Sequence, residues 1–182
     1  LAAVREALQI GREAGLPVHF AHIKAQGVDV HGYAPRVVAL IEDARAAGRR
    51  ATADQYPWAA SGTRVSNALI PRWTQDGGIE AMRKRLADPA LKMRLDREIA
   101  DNIRRRGGPA SLLITSGDYR GKTLEQVAAD AGVSPVETAR QIAIEGDARL
   151  ASFNMREDDI RAFMTRPWVL TSSDATQGHP RR

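Results

Sequence analysis

The sequence predicts an α/β fold in which parallel strands are joined by crossover helices. Three observations carry this. The short runs Val18 to Lys24, Ala51 to Tyr56 and Trp168 to Asp174 each pass from apolar residues into reactive side chains, as strands do when their C-terminal ends build a site. The N-terminal part alternates helix, strand, helix, strand with short links, and parallel strands so arranged need helical crossovers. Between the second and third runs lies a long, mostly helical insertion, about 78–165.

Ala2 to Ala14 has Val4, Ala7, Leu8 and Gly11 on one helical stripe, with Gly15 placed as a C-terminal cap. Pro17 opens the first strand. Strict alternation from Val18 to Lys24 puts Phe20, His22 and Lys24 on one face. His19, Ala21 and Ile23 then face the other way, with His19 packed against a helix. Gln26 to Ala34 is a loop carrying His31 and Tyr33. Pro35 suits a helical first turn, and Val37, Val38, Leu40, Ile41 and Ala44 follow at helical spacing until Gly48. After the strand Ala51 to Tyr56, Pro57 to Ile70 reads as a loop of small residues, long enough to be functional.

Ile79 to Leu86 and Leu91 to Ile103 read as helices, the second with Leu91, Leu95, Ile99 and Ile103 four apart. Ser111 to Ser116 reads as a strand. Thr123 to Gln126 is a capping box, and Ser134 to Glu137 is another with Pro135 at the first helical position. Arg149 to Phe153 is extended, Asn154 to Glu157 caps a helix bearing Ile160, Phe163 and Met164, and Trp168 to Ser172 is the last strand. The Gly117 to Thr123 loop has three residues between its glycines, where a phosphate-binding loop needs four. Helix capping by Thr123 accounts for those residues without a nucleotide.

Composition narrows the function. The 182 residues are 43% hydrophobic and 27% charged, enough for one sizeable core. The net charge of +5 raises the question of a nucleic-acid or membrane partner. Acids are interspersed among the bases, aromatics are only 5%, and the run Arg104 to Arg106 sits where a helix C-terminus favours cations. Neither partner is therefore expected. No apolar run approaches the ~18 residues of a membrane span. Absence of cysteine excludes disulfides and thiolate metal ligands from this stretch and fits a reducing, cytoplasmic setting. Leu1 lies inside a helical pattern and the chain stops just after His179-Pro180-Arg181, so a fragment of a longer protein is expected.

The strand ends supply the candidate chemistry. His22 and Asp174 are imidazole and carboxylate donors of the kind that bind Zn²⁺. Asp174 can also accept a proton from an activated water. Lys24 can pair with a substrate carboxylate, and Tyr56 and Ser61 can donate hydrogen bonds to the same anion. Each has a plainer reading: a turn residue for Asp174, a half-buried strand aromatic for Tyr56, a solvated strand end for Lys24.

Taken together, Gly15-Leu-Pro-Val18, His22-Ile-Lys24, Asp54-Gln-Tyr-Pro-Trp58 with Ala60-Ser61, Gly121-Lys-Thr-Leu124, Ser152-Phe-Asn-Met155, Pro167-Trp168, Ser173-Asp174 and His179-Pro-Arg181 form an ordered set across nearly the whole chain. The set resembles the N-acyl-D-amino-acid deacylases (D-aminoacylases) of the metal-dependent amidohydrolase superfamily. Gly62 and Ala175 stand where relatives often have Ser and Gly, and Ile23 where they often have His.

The resemblance implies the C-terminal portion of a (β/α)8 TIM-like barrel, with the three runs as its sixth to eighth strands. It implies His22 as a zinc ligand, and Asp174 as general base that also touches a second metal position. Lys24, Tyr56 and Ser61 would hold the substrate carboxylate. The implied activity is hydrolysis of the amide bond of N-acyl-D-amino acids, with the remaining metal ligands lying before Leu1. The fragment alone would be inactive and self-associating. A dihydroorotase-like or hydantoinase-like amidohydrolase, or a non-catalytic anion-binding domain, are the alternatives.

Overall fold

The computed structural model describes residues 1–174, so Ala175 and the His179-Pro180-Arg181 run lie outside the described residues. The chain divides into two compact units, one formed by 1–26, 30–59 and 155 onward, the other by 27–29 and 60–154.

The first unit is a mixed α/β layer. Helix α1 (Ala2–Ala14) ends at Gly15, whose left-handed φ of 67° is the cap its position foretold. Strand β1 (Val18–Phe20) follows at once. Gly11 is required at this junction, because a β-carbon there would lie 2.3 Å from Val18 Cγ2. Helix α2 (Ala34–Ala46), with Pro35 in its first turn, leads to β2 (Ala51–Gln55). Helix α8 (Glu157–Met164) leads to β6 (Val169–Thr171). The strands are parallel in the order β1-β2-β6, as the crossover pattern requires. Ala51 and Ala53 turn one face of β2 into a core with Leu8, Val38, Ile41, Phe163 and Trp168.

Helices α2 and α8 are also tied by a buried carboxylate. Asp159 accepts from the backbone N–H groups of Gly32 (2.8 Å) and Ala34 (3.0 Å), satisfying donors at the start of α2 that the helix itself leaves unpaired. Asn154 to Glu157 does not cap α8 as expected. Its N-cap is Arg156, which makes no side-chain capping bond, because a guanidinium has no acceptor to offer the first amides of the helix.

The second unit replaces the expected loop and helical run with a sheet carrying helices. Strand β3 (Ala60–Arg64) and the short helix α3 (Val65–Leu69) occupy the stretch read as a loop. Helices α4 (Ile79–Ala87) and α5 (Lys92–Arg105), strand β4 (Leu112–Ile114), helices α6 (Leu124–Ala131) and α7 (Pro135–Glu145), and strand β5 (Arg149–Phe153) follow. The sheet is antiparallel in the order β3-β5-β4. Leu95, Ile99 and Ile103 bury the predicted stripe of α5 against Leu69, Leu112, Ile114 and Leu150. Among the described residues the two three-stranded sheets are separate, and no closed barrel is present.

The local signals held well here. Thr123 Oγ1 accepts from the Gln126 amide (3.2 Å) while Gln126 Oε1 accepts from the Thr123 amide (2.9 Å). Gly121 and Lys122 donate their amides to the Ile114 and Tyr119 carbonyls, so the loop closes on itself rather than opening as an anion cradle. The basic run is likewise engaged within its unit: Arg104 grips Asp29 at 2.8 and 3.0 Å, and Arg105 reaches Asp101 at 2.8 Å. Replacing Thr123 by Ala should destabilise the protein by about 1 kcal/mol, the usual worth of an N-cap. Chemical denaturation of the Thr123→Ala variant measures it, and an unchanged midpoint would show that the box contributes nothing. No helix among the described residues is long and apolar enough to cross a membrane.

Candidate active site

Strand β2 alternates buried Ala51, Ala53 and Gln55 with Thr52 and Asp54 on the opposite face. The parallel register sets His19 beside Thr52 and Asp54 beside Leu170. His19 is therefore not packed against a helix as the alternation argument expected. Phe20 takes that place, joining the apolar cluster. The His19 ring bridges Thr52 Oγ1, 2.9 Å from Nδ1, and Asp54 Oδ2, 2.8 Å from Nε2.

The first strand also stops earlier than expected. After Phe20 the chain turns, and His22 takes a left-handed φ of 41°. Period-two alternation fails from this point, so His22 and Lys24 do not share a strand face. The turn is held from β2. Asp54 Oδ1 accepts from the His22 amide at 3.0 Å, and the Ile23 amide donates to the Asp54 carbonyl at 2.8 Å. The same Oδ1 accepts from the Ser172 hydroxyl at 2.7 Å, just beyond β6. One carboxylate thus ties together the C-terminal ends of all three strands of this unit.

Partial burial of Asp54 opposes its ionisation, but the bonds from His19, Ser172 and the His22 amide prevail and hold its pKa below the ordinary carboxylate range. A carboxylate with a depressed folded-state pKa adds stability that is present above its unfolded value of ~3.9 and is lost as pH falls through the folded value. Asp54→Asn should therefore flatten the acid limb of the stability curve of the full-length protein. Thermal unfolding of both proteins across acidic pH tests this, and parallel curves would contradict it.

Lys24 lies half-buried, its Nζ 4.6 Å from the centre of the Tyr56 ring, a cation–π contact. Burial lowers the Lys24 pKa, against the attraction of Asp174 and Asp54. Burial also raises that of Tyr56, and the Asp174 charge adds to the effect. Asp174 is thus close enough to act on both. It is exposed and has a left-handed φ of 49°. Among the described residues the buried Tyr56 hydroxyl has no hydrogen-bond partner, a position that calls for an acceptor. Ser61 belongs to the second unit, where it is buried on β3, 3.5 Å from Asn154 Oδ1.

Of the residues singled out from sequence, His22, Lys24, Tyr56 and Asp174 occupy the strand ends of the first unit. Sequence reasoning assigned no role to Asp54 or Ser172. The signal was there in part: Thr52 and Asp54, two apart between alanines, mark a polar face on a strand otherwise built to pack.

A tight zinc site needs three or four protein ligands. Among the described residues no three His, Cys, Asp or Glu side chains come together to hold a metal. His22 and Asp174 do not by themselves make up a zinc site.

No protein-family model matches the chain, and no curated protein sequence matches it closely. Solved structures do. The fold is that of part of an amidohydrolase. More particularly, the chain resembles part of D-aminoacylase, in a structure described as defining a novel subset of amidohydrolases, with 25% identity and a TM-score of 0.63 over 95% of this chain. A second D-aminoacylase structure, concerned with one-metal activation and second-metal attenuation in its binuclear centre, matches equally, with a TM-score of 0.63 at 25% identity. The N-acyl-D-glutamate deacylase of Bordetella bronchiseptica, complexed with zinc and a phosphonate mimic of the tetrahedral intermediate, shares the fold, with a TM-score of 0.66 at 24% identity over 95% of this chain. The chain spans 29% of the length of each of these solved chains.

Proposed function

We propose that this chain is the C-terminal barrel portion of a metal-dependent amidohydrolase that hydrolyses the amide bond of N-acyl-D-amino acids. The observation that carries the reading is the pair of cation and donor at the strand ends: a half-buried Lys24 ammonium against Tyr56, whose buried hydroxyl has no partner among the described residues. A substrate α-carboxylate satisfies both, accepting from the hydroxyl and neutralising the ammonium. Asp174 takes the proton of the attacking water and passes it to the departing amine. Zinc, present in the deacylase complex, would need ligands in addition to His22 and Asp174.

The direct test is to assay the full-length protein against paired N-acyl-D- and N-acyl-L-amino acids, before and after treatment with a chelator. Hydrolysis of the D series, lost on chelation and restored by zinc, is expected. No turnover of any N-acyl-D-amino acid by metal-replete protein would overturn the reading.

A further inference from the structure

Two residues at the strand ends of the first unit, His22 and Asp174, are non-glycine residues in left-handed backbone, with φ of 41° and 49°. Such a conformation costs free energy and persists only where neighbouring bonds enforce it. A third such residue among the described ones, Asp147 in the other unit, enforces its own: its carboxylate accepts from the Ser66 amide, the Ser66 hydroxyl and the Ala148 amide. His22 lacks such a side chain. Its amide is instead held by Asp54 Oδ1, and Ser172, two residues before Asp174, is held by the same oxygen. The other carboxylate oxygen is fixed by the His19 ring, which Thr52 braces from its far side. Asp54 itself sits on the central strand, with both oxygens taken by these bonds.

From this geometry we infer that Asp54 is a positioning residue, one that sets His22 and, through Ser172, Asp174 in working orientation. The inference rests on the function proposed above. Oδ1 is an acceptor twice over, and an asparagine preserves it. The Asn amide nitrogen would then face His19 Nε2, which becomes an acceptor when the ring proton moves to Nδ1 and is donated to Thr52. Position, not charge, is what Asp54 contributes to His22 and Asp174.

The experiment uses Asp54→Ala, Asp54→Asn and Ser172→Ala in the full-length protein, with steady-state kinetics and amide hydrogen exchange. Asp54→Ala should lower kcat about 100-fold, the cost of displacing a reacting group by around an ångström, while KM, set by Lys24 and Tyr56, stays nearly constant. Asp54→Asn should restore most of kcat. In exchange, Asp54→Ala should release the His22 amide alone, leaving the Ile23 amide protected, since the latter donates to backbone.

A uniform loss of protection, or a His22 amide as protected as before, would overturn the inference. So would a fall in KM affinity with kcat unchanged. Should Asp54→Ala fail to fold, Ser172→Ala decides: it should lower kcat without releasing the His22 amide, and unchanged kcat refutes the arm to Asp174. If the parent protein turns over no N-acyl-D-amino acid, the proposed function fails, and exchange at His22 still decides the role of Asp54.

Discussion

Asp174→Asn in the full-length protein is expected to remove nearly all amide hydrolysis and leave the fold intact. The substitution preserves size but removes the carboxylate that serves as base in the proposed function. Proton transfer by a positioned side chain is worth roughly 100- to 10,000-fold in rate, and an amide cannot supply it. Lys24 and Tyr56, which hold the substrate in the proposed function, are unchanged, so the loss should appear in kcat with little change in KM. Exposure of Asp174 argues that the fold does not depend on it. Retention of most of the kcat would remove Asp174 from the role of general base, whatever else the protein hydrolyses.

Lys24→Ala should act on a different quantity. The half-buried ammonium is held close to Tyr56, and a charge-assisted hydrogen bond to a carboxylate is worth roughly 1.5–3 kcal/mol, or about 10- to 100-fold. The loss should fall on substrates with a free α-carboxylate and spare those in which it is esterified. Kinetics on matched acid and ester substrates make the comparison, and equal losses on both would show that Lys24 is not the carboxylate clamp.

Local features of the fold were legible in the sequence because their causes are local. The extent of α1 followed from an apolar stripe and one glycine. The capping box of α6 followed from Thr123 and Gln126, three apart and each the other's partner, while of the box expected for α7 only the Ser134 half forms, the Glu137 carboxylate being taken by Arg140 and Gln141. The parallel order of β1, β2 and β6 followed from the helices between them. Strand β3 escaped notice because Ala-Ser-Gly-Thr-Arg has little of the branched, apolar character of a strand. It is one by virtue of pairing with β5, nearly ninety positions further along the chain.

The site divides in the same way. Lys24, Tyr56 and Asp174 could be named because apolar runs end in them. Their geometry could not, because the chain turns at His22, and the turn is held by a side chain 32 positions away. Asp54 was visible as a residue but not as a hub, since its partners lie 32, 35 and 118 positions distant. His19 shows the hazard of extending alternation: the strand ends at Phe20, and the side chain taken for packing is the one that reaches Asp54.

The manner in which the second unit leaves and rejoins the chain bears on how the protein is made. Its first and last strands pair directly, Ala60 with Phe153, and on the flanking side the Met155 amide donates to the Ala59 carbonyl at 3.3 Å. Most of that unit is one continuous stretch, so it can condense as soon as it has emerged from the ribosome, before β6 exists. Once condensed, it presents its two ends side by side, and the entropy of bringing β6 back to β2 becomes that of a short closure rather than one spanning the whole insertion. The pairing of β6 with β2 then follows the folding of the insertion, and it should slow sharply when the insertion is destabilised, even by substitutions that touch none of the three parallel strands.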